Sequence, residues 1–219
     1  EVEKGETVTV LEKMENWTKV KTYDAFIGYV PSKVLKNEET FVPNVEPNYV
    51  EPEYTSLTRD YKINMGWHQV MSEAANATLD NAVMANSNMN VISPTWFSLK
   101  SIDGDIRCIA TQDYVDKAHK MGMEVWALVD NFDKDVSTYQ TLSKTTSRTN
   151  LIRNLMTQVL KFDIDGINVD FENVSYDAGE PYVQFLRELS IQCRKEGIVL
   201  SVDNYVPREY TAHYNRKEQ

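Results

Sequence analysis

Residues 165–172 read Asp165-Gly166-Ile167-Asn168-Val169-Asp170-Phe171-Glu172, and the alternation in this stretch decides how the rest of the chain is read. Successive side chains of a strand point to opposite faces. Asn168, Asp170 and Glu172 therefore share one face, and Ile167, Val169 and Phe171 share the other. A row of polar groups inside a protein is costly unless the groups are paired or functional. Two carboxylates two residues apart lie about 6.5 Å apart along a strand, close enough for one to raise the other's pKa. A general acid working near neutrality needs such a raised pKa. An ordinary amphipathic strand with one wet face, or a metal-binding carboxylate cluster, fits the same eight residues.

Around this stretch, from residue 62 onward, β-like runs alternate with helical patterns, the signal of a parallel α/β architecture. Candidate strands cover Ile63 to Val70, Asn90 to Phe97, Glu124 to Val129, Gly166 to Phe171 and Ile198 to Val202. Helices are expected over Ser72 to Met84, Gln112 to Met121, Thr146 to Leu160 and Pro181 to Lys195. Leu151, Ile152, Leu155, Met156, Val159 and Leu160 form one face of the third; Tyr182, Phe185, Leu186, Leu189 and Cys193 form the buried side of the fourth. A doubly wound sheet would normally offer a Gly-rich phosphate loop after its first strand, and none follows Trp67. A closed (β/α)8 barrel takes ~250 residues. The expectation for 62–219 is therefore a TIM barrel truncated after about five β/α units. Its polar face at 165–172 would point inward, with Glu172 at the strand's C-terminal end, where barrel active sites lie.

The first residues have a different rhythm. Short runs rich in β-branched and aromatic residues, ending in Phe26-Ile27-Gly28-Tyr29-Val30, predict an antiparallel all-β module over 1–37. "KGETVTVLEKMENWTKVKTYDAFIGYVPSKVL" resembles the later part of a bacterial SH3-like domain: a Lys-Gly turn, a Trp opening a strand, and Gly-Tyr-Val closing the sheet. A whole domain of that kind needs about 55–65 residues to bury a core, so the chain is expected to start mid-domain. The resemblance implies tethering to cell-wall peptide or glycan; a plain spacer sheet is the alternative. Residues 38–61, with Pro43, Pro47 and Pro52 among Glu and Asn, read as an extended linker.

The octapeptide at 165–172 resembles the DGxDxDxE signature of family 18 glycoside hydrolases, with Asn168 in place of the middle Asp. "NVISPTWFSL", "EVWALVDNF" and "IVLSVDNYVP" resemble further barrel strands of the bacterial cell-wall and spore-cortex-lytic branch. The resemblance implies that Glu172 protonates the leaving glycosidic oxygen and that the substrate's own 2-acetamido oxygen is the nucleophile. Asp170 would orient that acetamido group, Asn168 would hydrogen-bond Asp170, and Asp165 would support the turn entering the strand. The substrate would be N-acetylglucosamine-containing polysaccharide, either peptidoglycan or a chitin oligosaccharide, cleaved with retention and without a metal or other cofactor. The family's Met-x-Tyr-Asp strand and its floor Trp would lie beyond Gln219. The Ser-x-Gly-Gly strand of common chitinases is replaced by "ALVDN", which favours the wall-lytic branch.

Asp130 and Asn131 close the third strand, and Asp203, Asn204 and Tyr205 close the fifth, so all are candidates for substrate contact. Trp96 is a candidate sugar-stacking residue, with Trp126 a weaker one; large core aromatics are the more frequent case. His68 could reach the site or be a satisfied core histidine.

Composition trims the alternatives. Asp and Glu outnumber Lys and Arg 33 to 23, a net charge of -10. Such a chain is poorly suited to a phosphate backbone, so no nucleic-acid partner is expected. No apolar run approaches the ~18 residues of a membrane span. Cys108, Cys193 and three histidines show no zinc-ligand spacing. A secreted or cell-wall-associated bacterial enzyme is the leading reading. A catalytically silent glycan-binding barrel and a metal-dependent hydrolase are the others.

Overall fold

A computed structural model describes residues 2–23, 26–40, 57–84 and 88–216, and the chain divides into two units, 1–56 and 57–219. Residues 41–56 of the expected linker lie outside the described residues. Its last part belongs to the second unit: Arg59 and Tyr61 both bind the carboxylate of Glu124, at 2.6–2.9 Å.

In the first unit β1 (Thr9–Lys13), β2 (Trp17–Lys21) and β3 (Ile27–Pro31) form an antiparallel sheet in that order. Gly5 takes a left-handed φ of 95° in the Lys-Gly turn, a conformation open to glycine. Thr18 and Val20 of the central strand are buried, and the Thr18 and Ser32 hydroxyls meet at 2.9 Å.

The second unit is mixed α/β with a parallel-rich sheet. β4 (Met65–His68), β5 (Val91–Pro94), β8 (Glu124–Asp130), β9 (Gly166–Asp170) and β10 (Val199–Val202) run parallel in the order β10-β9-β8-β5-β4. A hairpin of β6 (Phe97–Leu99) and β7 (Ile106–Cys108) was not foreseen. The run expected as one strand over Asn90–Phe97 breaks after Pro94, which has no N–H to give a ladder. Its first part pairs with the start of β8, and its second part pairs with the end of β8, at Phe97↔Val129 and Ser98↔Asp130.

The helices are α1 (Leu79–Met84), α2 (Gln112–Lys120), α3 (Thr138–Ser143), α4 (Thr145–Phe162) and α5 (Tyr176–Glu196). The segment ahead of α1 is a 3-10 turn, Glu73–Thr78, rather than α-helix. On α4 the predicted apolar face is buried except for Leu160, which is half exposed. α5 starts five residues before Pro181. Contacts from the chain's far end hold the extra turn: Tyr176 Oη donates to the Thr211 carbonyl, and Tyr214 packs on Gly179, where an added Cβ would lie 2.2 Å from the ring.

Val125, Ala127 and Val129 of β8 and Ile167 and Val169 of β9 join the main core with the helices. Each fully buried Val or Ile side chain there contributes about 1.5–3 kcal/mol. The opposite face is layered along the strands. Val91, Trp126 and Val199 form a small apolar cluster at one end, over Gly166, whose Cβ position lies 2.7 Å from the Trp126 indole. Leu128, Asn168 and Ser201 come next in register, followed by Asp130 and Asp170.

Candidate active site

The C-terminal ends of β8, β9 and β10 gather the carboxylates. Asp130 and Asp170 are paired in register on adjacent parallel strands, which lie about 4.8 Å apart. Asp203, just past β10, is tied to β9 by its N–H on the Val169 carbonyl, and its Oδ2 accepts from Asn168 Nδ2 at 2.7 Å. Asn168 is fully buried, and its Oδ1 accepts from Ser201 Oγ. The amide expected to serve Asp170 therefore serves Asp203. Parallel register brings Ser201 and Asn168 side by side, so the β10 partners are nearer than the residue two places along the same strand.

The Asp170 carboxyl accepts no side-chain or backbone hydrogen bond among the described residues. Its burial, with Asp203, Glu172 and Asp130 close by, pushes its pKa up to about 6. Asp130 is also raised by burial, against the stabilising N–H of Phe132 (3.0 Å) and hydroxyl of Ser98 (3.0 Å).

Glu172 is partly buried two residues beyond β9. Its backbone N–H donates to Asn131 Oδ1 at 2.8 Å, and its carbonyl accepts from Asn131 Nδ2 at 3.0 Å. Asn131 was expected to touch substrate; instead its amide is occupied by the Glu172 backbone. The next residue, Asn173, turns the chain away with a left-handed φ of 53°.

Other expectations shift. Trp96 is 1% exposed, stacks edge-on against Tyr114 at 4.8 Å and donates Nε1–H to Asn76 Oδ1 at 2.7 Å. It belongs to the core on the helix side, with Ile92, so it does not line a sugar groove. Trp126 is buried on the other face, at the far end from the carboxylates. His68 is a core histidine: Tyr114 Oη and Thr78 Oγ1 occupy its two nitrogens at 2.8 and 3.0 Å, and burial lowers its pKa.

Asp165 sits at the opposite end of β9 from Glu172, about 23 Å along an extended chain. Its Oδ2 accepts from the Val125 N–H and contacts His119 Nε2, both at 2.8 Å. It fastens β9 to β8 and α2 and stands apart from the carboxylate group. An open depression of about 590 Å³, lined by Tyr61, His119, Glu124 and Asp165 among others, lies at that end. Asn204 is exposed and Tyr205 half buried in the segment leaving β10. Ser98 and Ser201 complete the polar face and were missed; their only sequence signal is a position one residue before a strand's end. No group of three or more His, Cys, Asp and Glu arranged to hold a metal occurs among the described residues.

Residues 1–36 match the family model of the bacterial SH3 domain. A search of curated proteins gives no match to the sequence. Solved structures similar to the chain include the C-terminal domain of a candidate chitinase from Desulfitobacterium hafniense, 17% identical with a TM-score of 0.61, over 70% of this chain and 49% of that one. A chitinase from Chromobacterium violaceum is 16% identical with a TM-score of 0.57, over 70% and 50%. The spore cortex-lytic enzyme SleL of Bacillus cereus is 24% identical with a TM-score of 0.57, over 68% and 36%. The likeness is one of fold, to a part of each of these proteins. The chain spans half or less of the length of each.

Proposed function

We propose that residues 57–219 are the first part of a (β/α)8 barrel glycoside hydrolase of the family 18 type, acting on N-acetylglucosamine-containing glycan. The observation that carries this reading is the convergence of Asp130, Asp170 and Asp203 at one end of the sheet, with Glu172 on a fixed backbone beside them. The fold similarity to chitinases and to a cortex-lytic enzyme supports it. The bacterial SH3 module favours peptidoglycan over soluble chitin and a place at the cell wall outside the cell. No helix of the described residues is long and apolar enough to cross a membrane.

In this mechanism Glu172 donates its proton to the glycosidic oxygen as the bond breaks. The substrate's acetamido oxygen attacks the anomeric carbon from the other face, giving a cyclic cation. Asp170 holds the acetamido N–H and, once ionised, stabilises the positive charge. Water then attacks while Glu172 takes back a proton, and configuration is retained. This departs from the two-carboxylate scheme of most glycosidases, as substrate-assisted families do. Asn168, itself held by Ser201, keeps Asp203 beside Asp170, and the negative charge of Asp203 helps to hold the Asp170 carboxyl's proton affinity high.

The test is mass spectrometry of products from purified peptidoglycan and chito-oligosaccharides, using protein that includes its natural sequence beyond Gln219. New N-acetylglucosamine reducing ends are expected from the parent, with a loss of about 10²–10⁴-fold in Glu172→Gln. Equal cleavage by both would remove Glu172 as the acid. Binding without product from either would favour a silent glycan-binding barrel.

A further inference from the structure

β9 ends at Asp170, so no sheet ladder holds the backbone of Glu172. The side-chain amide of Asn131 takes that place, accepting from the Glu172 N–H at 2.8 Å and donating to its carbonyl at 3.0 Å. These two bonds fix which way the amide faces, because an N–H needs the oxygen and a carbonyl needs the NH2. The remaining N–H points to Thr138 Oγ1 at 2.9 Å, on the first residue of α3. Both N–H bonds of the amide are thereby used, leaving no donor for a sugar hydroxyl. On the other side, Asn215 Nδ2 donates to the carbonyl of Phe171 at 2.8 Å. Asparagine side chains thus grip the two residues that carry the acid out of the sheet.

We infer that Asn131 is a positioning residue for Glu172, standing in for a ladder neighbour where the strand has ended, with Thr138 fixing the amide in turn. The inference rests on the reading of Glu172 as the acid. Rotation about the backbone at residue 172 moves the carboxyl group directly, and a misplacement of about 1 Å can cost 10²-fold in rate. Because both N–H groups of the Asn131 amide are engaged within the chain, its loss should fall on kcat.

The experiment uses the protein with its natural continuation and compares the parent with Asn131→Ala, Thr138→Val and Thr138→Ser. Two readouts are taken: hydrogen exchange of the Glu172 amide, and kcat and KM on peptidoglycan fragments. For Asn131→Ala, exchange at Glu172 should quicken at least about 10-fold while the Ile167 and Val169 amides of β9 stay protected, which shows the sheet intact. Its kcat should fall about 100-fold with KM within about twofold. Thr138→Val should give a smaller loss in the same direction, and Thr138→Ser, which keeps the hydroxyl, should restore it. Unchanged exchange at Glu172, or a rise in KM with kcat intact, would overturn the inference. If neither parent nor Glu172→Gln cleaves glycan but the exchange still changes, the hydrolase reading fails and the clamp stands.

Discussion

At the residue scale Asp170 is the most informative group. It titrates near pH 6 in the folded chain because it is buried beside three other carboxylates, whereas an unfolded Asp titrates at about 3.9. Between these values the native state binds more protons than the unfolded state, so this group lowers stability as pH rises from about 4 to 7. The side chain is only partly buried, so solvent screening reduces the effect to about 1 kcal/mol. Asp170→Asn is therefore expected to raise the melting temperature at pH 7–8 and to leave it unchanged near pH 4, which thermal denaturation across pH would measure. The same ionisation should appear in catalysis. If ionised Asp170 stabilises the cationic intermediate, kcat/KM rises through pH 6 from the acid side, and the limb is lost in the Asn variant along with most of the activity. Because the carboxylates are coupled, the limb reports the group rather than one microscopic site.

At the element scale, α3, α4 and α5 are joined by one buried charge pair. Arg148 of α4 donates to Glu188 of α5 and to the Leu142 carbonyl of α3 (2.7 Å), while Gln184 also donates to Glu188. The two charged side chains are 5% and 2% exposed. A buried pair of this kind adds little net stability, but removing one partner strands a charge and costs about 3–5 kcal/mol. Glu188→Ala should destabilise by that amount in a urea melt. Replacing both partners together, Arg148→Met with Glu188→Leu, should recover most of the loss. Because α3 begins at Thr138, which orients Asn131, this pair also supports the framework around Glu172. The early start of α5 belongs to this scale too. Pro181 favours a first-turn position, yet the helix begins at Tyr176 because Tyr176 and Gly179 find partners among residues 211–214.

At the scale of the whole molecule, β4 and β10 each have one strand neighbour among the described residues. Such edges offer unpaired N–H and C=O groups to other chains. The 219-residue chain by itself is expected to associate in a concentration-dependent way, and a longer protein that covers these edges is expected to be monomeric. Sedimentation velocity at several concentrations of each would check this; a well-behaved monomer of the shorter chain would contradict it.

Wherever a single period ran unbroken, the sequence by itself determined which face of an element is buried. The alternation at 165–172 set which face of β9 meets the helices. The repeats on α4 and α5 set their buried stripes, and the Lys-Gly turn with its following strands marked the N-terminal module. Local periodicity suffices there because burial of apolar side chains dominates the energy and depends only on which face each side chain occupies. Only the tertiary structure decided the partners of polar groups. Asn168 turned to Asp203, Asn131 to the Glu172 backbone, Trp96 to Asn76 and Asp165 to Val125. Each of these bonds joins residues 20 to 41 positions apart, on elements whose register the sequence does not encode. A hydrogen bond forms only within a few tenths of an ångström and a narrow angle, so its partner is fixed when the strands dock and not before.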